Sequence, residues 1–510
     1  MRDPIESARE LLVEARDLYA LVPEARDELA LLEARLDEPL RVALVGSVKS
    51  GKSTLLNGLL GERIAPTDSR ECTRIVTWYH YSRAPRVQGR LVGGETVSIP
   101  TRRQPDRLEL DLAGLSPTEV ERLDVSWPAP GIQGITLIDT PGIASASHDI
   151  SSQTDRFLLP EHGAAGADAV VYLLRSLHES DIEYMKALHE RTRHGSAAMG
   201  AIAVLSRADE LGSGRLTAMF SINEAVHRLR EDPALTGVCE TIVPVAGLMG
   251  MGAMTLRQTD FATLRQLATL DAEQARQLLV SAELFITAAE EGLPSGSVRA
   301  DLVERFGMYG IRIAIAAVRG GISDAEDLAA ELLRRSGLEE LRRTIDVHFA
   351  QRQPDLKAYS TVLALHQLLR ATPVQGSDCL LVAAEEHMAS AHAFTEMQLV
   401  GRIASGRLHL AEDAILELER LVGGRGASHH RRLGLDAAED PDAVLAVAVE
   451  HLRRWRTFRE NPLLDRATSQ ACRIAERSCE RIISELMEQQ LRSGSIEEPL
   501  PAAATARLEA

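Results

Sequence analysis

The sequence predicts an α/β fold, with a doubly wound sheet in the first half of the chain and a long α-helical bundle built from the N-terminal helix and the C-terminal half. Short apolar runs recur from residue 42 to residue 245 with helical stretches between them, an alternation typical of a doubly wound sheet. From about residue 256 the pattern changes to long helical segments with few strand signals. The two patterns together indicate a sheet domain joined to a helical domain.

The chain of 510 residues is long enough for more than one domain. Its first helical stretch carries a narrow apolar seam that has nothing to pack on locally, so the partners of this helix must come from later in the chain. We predict four segments: residues 1–37, an N-terminal bundle helix; residues 38–256, the sheet domain; residues 257–496, the helical bundle; and residues 497–510, a disordered tail.

The helical half contains two long predicted segments, residues 259–288 and residues 338–369. The second is one continuous helix or a helix kinked at Pro354. Two alternatives stay open: residues 312–318 fit a strand or a helix, and residues 300–350 fit the edge of the sheet or the bundle.

Composition excludes several classes of protein. A net charge of −17 argues against broad binding to nucleic acid, which needs a basic surface. The five cysteines are scattered and form no CxxC pair, which fits a reduced, cytoplasmic protein. No signal segment opens the chain, and the longest uncharged run, residues 241–256, is broken by Pro244 and three glycines, so no transmembrane helix is expected.

The strongest motif lies between a predicted strand and a predicted helix. Residues 46–53 read GSVKSGKS and match the phosphate-loop pattern GxxxxGK(S/T) in full. They follow the apolar run at residues 42–45 and precede a leucine-rich helix that Gly61 is placed to end. In this context backbone N–H groups of the loop and of the helix N-terminus bind phosphate oxygens. The residues assigned to the nucleotide phosphates are Gly46, Ser50, Gly51, Lys52, Ser53 and Thr54.

Two loop residues have particular roles. Lys52 supplies a point charge between the terminal phosphates, and Ser53 offers its hydroxyl to Mg²⁺. Lysine is scarce in this chain, with arginine supplying most of the positive charge, yet Lys49 and Lys52 both lie in the loop. A compact ammonium group is therefore favoured here over a planar guanidinium.

Two further segments supply ligands for Mg²⁺ and the γ-phosphate. The sequence DTPG at residues 139–142 follows a strand, so Asp139 can hold Mg²⁺ through water and the N–H of Gly142 can meet the γ-phosphate. Thr73, at the end of a polar, turn-rich stretch, can complete the Mg²⁺ shell and act in catalysis. Thr67 and Thr77 are the fallback candidates for that role.

The binding site for the nucleotide base is assigned to the ends of the last two predicted strands. The sequence SRAD at residues 206–209 stands where GTPases carry Asn/Thr-Lys-x-Asp, so Asp209 can accept two N–H bonds from guanine and Arg207 can stack on the base. Ala246 follows the next strand and is assigned to the same pocket. The four motifs occur in this order, each at a strand end, and together they predict a phosphate-loop GTPase sheet that binds GTP or GDP with Mg²⁺.

A family resemblance rests on these residues and on their context. An N-terminal bundle helix, the sequence TLLNGLLG at residues 54–61, the pattern PTD…CTRIVT at residues 66–77 and the long helical C-terminal half resemble bacterial dynamin-like GTPases over most of the chain. The resemblance implies GTP hydrolysis coupled to homodimerisation through the GTPase domains. It also implies peripheral contact with anionic membrane at the inner face of the plasma membrane and remodelling of that membrane, with a role in envelope stress.

The chain departs from relatives of that family at two places. Eukaryotic dynamins carry Gln-Ser where this chain has Val48 and Lys49. Lys49 aligns instead with the cis arginine finger of guanylate-binding proteins, so it either neutralises transition-state charge or is a solvated loop lysine. Ser206-Arg207 replaces Asn-Lys, which weakens the tie between the base-binding segment and the phosphate loop.

The sequence is compatible with three functions to different degrees. The leading hypothesis is a mechanochemical GTPase, and the second is a nucleotide-gated scaffold with little turnover that regulates a longer dynamin-like sibling. A ribosome-associated GTPase is disfavoured by the acidic charge. The segment at residues 423–432, rich in glycine, arginine and histidine, is either a lipid contact or a solvated linker, with residues 294–298 and 373–377 as further candidates for the lipid contact.

Pairs of histidine and cysteine are predicted to be structural. The histidine pairs at 189/194 and 387/392 are five residues apart and do not share a helix face, so they are interpreted as surface histidines and not as metal ligands. Cys472 and Cys479 fall at heptad spacing within an apolar seam, which predicts core positions.

Overall fold

The computed structural model describes residues 3–65, 75–103, 108–110, 112, 114–116, 118–141, 157–158, 166–175, 183–187, 200–208, 224, 226, 239, 241–289, 292–390, 392–404, 408–435 and 440–492. The chain divides into two compact units. The sheet unit comprises residues 8–388, and the helical unit comprises residues 1–7 and 389–510. These two units do not correspond to the four segments predicted from the sequence, and the predicted domain boundaries stay a prediction.

The sheet unit contains a mixed sheet of nine strands in the order β11-β10-β9-β1-β8-β2-β7-β3-β4, and β5 pairs with β6 separately. Strands β11, β10, β9, β1 and β8 run parallel, and β2 runs antiparallel to β8 and parallel to β7. Strand β3 runs antiparallel to both of its neighbours, β7 and β4. The strands are β1 Leu40–Gly46, β2 Val76–Tyr81, β3 Arg86–Leu91, β4 Thr96–Ser98, β5 Thr101–Arg103, β6 Leu108–Leu110, β7 Val120–Trp127, β8 Ile135–Asp139, β9 Ala169–Leu174, β10 Gly200–Ser206 and β11 Thr241–Val245.

Helices make up most of the rest of the described chain. Short 3₁₀ turns occur at Pro130–Ile132 and Ala350–Arg352. The main α-helices are α1 Pro4–Leu18, α2 Pro23–Asp37, α3 Lys52–Leu60, α4 Gly247–Met254, α5 Gln258–Ala268, α6 Ala272–Leu278, α7 Ala282–Thr287, α8 Gly296–Arg319, α9 Ala325–Arg335, α10 Leu338–His348, α11 Gln353–Ala371, α12 Ser377–Ser390, α13 His392–Ala404, α14 Glu412–Leu421, α15 His429–Leu433, α16 Pro441–Arg459 and α17 Arg466–Arg492.

The predicted fold class is confirmed: a sheet built around a phosphate-loop strand is followed by a helical half. The sheet and the helices that follow it share one core, in which Val45 and Tyr172 of the sheet are buried in the same cluster as Leu264, Ile311 and Leu328. This answers both open alternatives. Residues 312–318 are helical within α8, and α8 and α9 pack with the sheet.

Two predicted helical segments are subdivided by turn chemistry that the apolar pattern did not reveal. Residues 259–288 form α5, α6 and α7, because the side chains of Asp271 and Ser281 accept hydrogen bonds from the first N–H groups of α6 and α7 and so begin new helices. Residues 338–369 form α10 and α11, separated by the Ala350–Arg352 turn. Pro354 does not kink a helix; it lies in the first turn of α11, where its missing N–H leaves no bond unmade.

Helix α8 is bonded through arginine side chains to the ends of the four helices before it. The last carbonyls of a helix have no partner within that helix, and a cation near them is favourable. Each of four arginines, spaced six or seven residues apart along α8, donates to such a carbonyl. The bonds join Arg305 to Thr255 O after α4, Arg319 Nε to Ala268 O of α5 (3.0 Å), Arg312 Nε to Leu279 O after α6 (3.0 Å) and Arg299 Nη2 to Ile286 O of α7 (3.2 Å).

A buried carboxylate joins helices α2 and α11 to the sheet. Asp168, just before β9, is 1% exposed and accepts hydrogen bonds from Arg35 Nη2 of α2 at 2.6 Å, from the Arg41 N–H of β1 at 2.9 Å and from Ser360 Oγ of α11 at 3.0 Å. Burial opposes its ionisation, but the charge of Arg35 and the Arg41 N–H outweigh it and hold the pKa of Asp168 below its usual value. Helix α2 therefore packs on residues far along the chain, as its unpartnered seam predicted.

Lys357 of α11 lies at the same junction. Its Nζ donates to Leu36 O at 3.0 Å, and the side chain is buried. Burial lowers the pKa of Lys357 to about 8, although Asp168 and Glu38 favour its charged form. The charges of Arg35 and Arg41 oppose it further.

The helical unit has a core of its own. Trp455, Cys472 and Cys479 are fully buried in it, which confirms the core positions predicted for the two cysteines. The surface position predicted for His392 is wrong: this residue is 8% exposed, and its Nε2 lies 3.0 Å from Ser478 Oγ, which donates to Glu396 Oε1 at 2.6 Å. Burial lowers the pKa of His392 to about 4. None of the helices described combines the length and apolar character needed to cross a membrane.

We expect Asp168→Ala to lower the free energy of unfolding by about 3–5 kcal/mol, because it leaves the buried charge of Arg35 without its partner. The matched control is Asp37→Ala, which removes an exposed partner of Arg9 and should cost less than about 1 kcal/mol. Urea denaturation followed by circular dichroism measures both, and equal losses in the two variants would contradict the role given to Asp168.

The pKa of Lys357 makes stability depend on pH. The folded state releases this proton near pH 8 and the unfolded chain near pH 10.5, so the unfolded state binds more protons between these values and the free energy of unfolding rises with pH across that window. Lys357→Met should lose this rise, whereas Lys186→Met, at an exposed lysine, should keep it. Urea denaturation at pH 7.5, 8.5 and 9.5 measures the free energy of unfolding of each protein. An equal rise of this free energy with pH in wild type and in Lys357→Met would contradict the role given to Lys357.

Candidate nucleotide-binding site

The phosphate loop lies at the carboxyl end of the central strand. β1 pairs with β8 on one side and β9 on the other, so its end is where the strand order reverses, the usual place for a ligand in such sheets. The loop leads into α3, which begins at Lys52 with Gly51 as its N-cap. Gly51 has a φ of 96°, in the left-handed region that favours glycine. The first N–H groups of α3 therefore belong to the loop, as the motif predicted.

Gly46 leaves no room for a side chain where β1 ends. A Cβ at this position would lie 2.7 Å from Leu173 O and 2.9 Å from Ser50 Oγ, much closer than atoms approach. Lys49, at the exposed tip of the loop, has a φ of 63°. Backbone packing against β9 thus fixes the path of the loop.

Lys52 lies inside the loop. Its Nζ donates to Gly46 O at 2.7 Å and to Ser47 O at 3.1 Å, and the residue is 9% exposed. Burial lowers the pKa of Lys52, and the charge of Asp139 opposes that change. An ammonium group bonded to two backbone carbonyls of the loop provides a counter-charge for an anion.

Asp139 and Ser53 form a pair suited to a hard cation. Ser53 Oγ lies 3.5 Å from Asp139 Oδ2, and Asp139 Oδ1 is buried with no hydrogen-bond partner among the described residues. Burial raises the pKa of Asp139 to about 6, against the opposing effects of Lys52 and Ser53. Carboxylate and hydroxyl oxygens are ligands that Mg²⁺ prefers, so these residues fit the predicted metal. Ser50 Oγ is also buried without a partner in the described chain, which fits its assignment beside an oxygen-rich ligand.

A cavity of about 170 Å³ adjoins the loop. It brings together predicted residues from separate motifs: Gly51 and Thr54 from the phosphate loop and α3, and Arg207 from the end of β10. Ser206, also in the lining, donates its hydroxyl to Leu174 O at 3.1 Å. The lining from the phosphate loop and α3 forms one wall of the cavity, and the lining from the end of β10 forms a second. The third wall consists of Val245, Gly247 and Leu248, at the junction of β11 and α4.

Ala246, assigned to the base, lies between residues of that third wall. Its N–H donates to Ser336 O at 2.8 Å, so this backbone donor is used within the protein. Nothing among the described contacts tests the role of Ala246 towards a base, and its assignment stays a prediction.

Comparison with known proteins identifies the family. Residues 42–195, which begin in β1 and include the phosphate loop and Asp139, match the model of the Dynamin family. Isoniazid-induced protein IniC of Mycobacterium tuberculosis is 41% identical over 462 residues, covering 90% of this chain and 92% of the relative. The chain belongs to the dynamin family. The resemblance to bacterial dynamin-like GTPases is therefore confirmed.

Other relatives match a smaller part of the chain. Isoniazid-induced protein IniA of Mycobacterium tuberculosis is 30% identical over 191 residues, covering 35% of this chain and 27% of the relative. Dynamin-like protein 2 of Campylobacter jejuni is 26% identical over 212 residues, covering 41% of this chain and 32% of the relative. A solved bacterial dynamin covers 96% of this chain and 76% of its own at 12% identity, with a TM-score of 0.30 that is too low to support an argument about fold or assembly.

Several predicted residues of this dynamin-family site lie outside the described residues. Thr73, Gly142 and Asp209 are among them, as is Thr67, and their roles stay predictions. The other fallback candidate, Thr77, is buried in β2, where its hydroxyl donates to Ile75 O at 3.2 Å.

Two residues that were not predicted from the sequence hold parts of the predicted site in place. Thr140 donates its hydroxyl to Leu44 O at 2.8 Å, which holds the residue after Asp139 against β1. The buried side chain of Asn57 accepts hydrogen bonds from the N–H groups of Ile64 and Ala65 at 2.8 and 2.7 Å and fixes the chain after α3. The signal for Asn57 was present in the sequence, as a polar residue within the leucine-rich helix of the TLLNGLLG stretch.

The segment at residues 423–432 is interpreted from the sequence as a lipid contact or a solvated linker, and either role would expose its three arginines. Arg432 is 7% exposed, bonds to Glu396 and donates to Leu421 O at 2.7 Å, because the end of the segment folds into α15. Arg425 forms an ion pair with Glu419 at 3.0 Å, while Arg431 is exposed. The prediction is therefore wrong for Arg432, which stabilises the helical unit.

We expect Gly46→Ala to weaken nucleotide binding at least about tenfold, because the new methyl group must displace either β9 or the phosphate loop. Gly93→Ala is the control, since a Cβ there meets no atom within 4 Å and this glycine is far from the site in sequence. Titration with fluorescent GDP measures both affinities, with far-UV circular dichroism to verify folding. Wild-type affinity in folded Gly46→Ala protein would contradict the packing argument.

Proposed function

We propose that the chain is a Mg²⁺-dependent GTPase that hydrolyses GTP to GDP and phosphate. The observation that carries the proposal is the buried Lys52 ammonium held inside the loop, with the Ser53–Asp139 pair and the cavity beside it. A cation in the loop, an oxygen pair for a metal and an adjoining pocket are the parts that binding a nucleoside triphosphate requires.

Each residue has a proposed role in this reaction. Loop N–H groups at Gly46, Ser50, Gly51 and Thr54 bind phosphate oxygens, and Lys52 balances the charge that builds on them. Ser53, Asp139 and Thr73 hold Mg²⁺, which when bound neutralises charge on the terminal phosphates. The remaining roles are Gly142 N–H towards the γ-phosphate, Lys49 towards transition-state charge, and Arg207, Asp209 and Ala246 towards guanine.

We infer that the GTPase cycle is coupled to homodimerisation through the GTPase domains and to peripheral remodelling of the inner face of the plasma membrane, from the cytoplasmic side. Membership of the dynamin family supports this inference. The names of IniC and IniA describe both relatives as isoniazid-induced, which supports a role in drug or envelope stress and a dynamin-like sibling as a partner.

One observation favours the second candidate, a nucleotide-gated scaffold with little turnover. Val48 stands in the loop where eukaryotic dynamins carry a glutamine that orients the attacking water, and its apolar side chain is 49% exposed. A valine cannot orient water through a hydrogen bond. Low turnover with intact nucleotide affinity is the result that this alternative requires.

The test compares wild type with Lys52→Ala. Lys52→Ala should abolish GTP and GDP binding without unfolding the protein, because it removes the counter-charge for phosphate from the loop. Lys186→Ala, at an exposed lysine, is the control. Calorimetry measures binding, and phosphate release with and without anionic liposomes measures turnover. Wild-type affinity in Lys52→Ala would refute the site, and binding without turnover in wild type would favour the scaffold.

A further inference from the structure

The elbow between α9 and α10, residues 336–342, lies against two helices of the nucleotide site. α3 follows the phosphate loop, and α4 begins at the third wall of the cavity. The elbow's described contacts with these helices involve no residue assigned to phosphate or metal. The elbow contacts the last turn of α3 and several positions on α4, from Ala246 at its N-cap to Met254 at its end.

Glycines allow the elbow to approach this closely. Leu338 is fully buried between α3 and α4, and a Cβ on Gly58 of α3 or on Gly250 of α4 would lie 3.2 Å from its Cδ2. Gly337 has a φ of 76°, and a Cβ there would lie 2.1 Å from Pro244 O at the end of β11. Leu338 therefore acts as a wedge at the crossing of α3 and α4, and larger residues at these three glycines would force it out.

Arg342 bonds the elbow to the C-terminal ends of both helices. Its Nη2 donates to Gly58 O at 2.7 Å and Leu59 O at 3.3 Å, and lies 3.5 Å from Met254 Sδ at the end of α4. The carbonyls of Gly58 and Leu59 are in the last turn of α3, where a cation is favourable. Burial lowers the pKa of Arg342, against the charge of Glu339.

The start of the elbow bonds to the opposite end of α4. Ser336 O accepts the Ala246 N–H at 2.8 Å, and Ala246 is the N-cap of α4. The elbow is thus bonded to α4 near its first and last residues and to α3 at its last turn. Because α3 has nine residues and is only about 13 Å long, a shift at its C-terminal end is transmitted to the phosphate loop.

We propose that Arg342 is a positioning residue for nucleotide binding, acting with the Leu338 wedge to hold α3 and α4 at the separation that the cavity requires. This inference rests on the proposed function and names a residue that determines its affinity without touching the nucleotide. Through α3, Arg342 sets the position of the phosphate loop. Through α4, it sets the positions of Gly247 and Leu248 in the third wall of the cavity.

The variant that tests the proposal is Arg342→Leu, which keeps much of the side-chain volume and removes the bonds to α3. The matched control is Arg343→Leu, because Arg343 is the next residue in α10 and is exposed. Arg342→Lys is the conservative variant, since an ammonium group can still reach one carbonyl. Fluorescent GDP and a non-hydrolysable GTP analogue are the binding probes, and hydrogen exchange is measured without nucleotide.

We expect Arg342→Leu to bind GDP and the GTP analogue about tenfold more weakly, by the same factor for both, because both use the phosphate loop. KM for GTP should rise while kcat stays within about twofold. Arg342→Lys should recover part of the affinity, and Arg343→Leu should match wild type. In nucleotide-free protein, exchange should increase in α3 and α4 of Arg342→Leu and not in the control.

A purely structural Arg342 would give a different result. Arg342→Leu would then unfold at a lower temperature but show wild-type affinity and wild-type exchange in α3 and α4, which would overturn the proposal. If Arg342→Leu does not fold, a smaller loss of affinity in Arg342→Lys supports the proposal, and wild-type affinity in that variant overturns it. Wild-type protein that binds no guanine nucleotide would refute the proposed function, while the nucleotide-free exchange would still decide whether Arg342 positions the two helices.

Discussion

Arginine bonded to the backbone carbonyls at helix ends is the interaction on which the sheet unit depends. Helix α8 uses four such side chains to join α4, α5, α6 and α7, and α10 uses Arg342 to join α3 and α4. Guanidinium suits this role because its several N–H groups lie in one plane and can reach two carbonyls at once. In this chain, which is rich in arginine and poor in lysine, these bonds stabilise the ends of short helices. Such helices bury few residues of their own and depend on tertiary contacts.

The same constraint positions the nucleotide site. The phosphate loop is fixed on one side by the backbone of β9 at Gly46 and on the other by α3, whose far end Arg342 holds. Within this frame burial lowers the pKa of Lys52 and raises the pKa of Asp139, while the opposite charges of the two side chains act against both shifts.

The sequence predicts the nucleotide site more completely than it predicts the helical half. The strand, loop and helix around Lys52 were predicted because eight consecutive residues encode that geometry, and the cavity brought Thr54 and Arg207 together as expected. The subdivision of residues 259–288 was missed because single capping residues, Asp271 and Ser281, override a continuous apolar pattern.

The sequence by itself determined the fold class, the family and the position of the phosphate loop, because these depend on local patterns of glycine, charge and apolar spacing. Only the tertiary structure decided which charged side chains are buried. Arg432 lies in a segment that the sequence marks as a lipid contact or a solvated linker, and no motif marks Arg342, yet one bonds to Glu396 and the other to Gly58, in distant parts of the chain. Burial depends on which distant segments pack together, and no local pattern around an arginine records that.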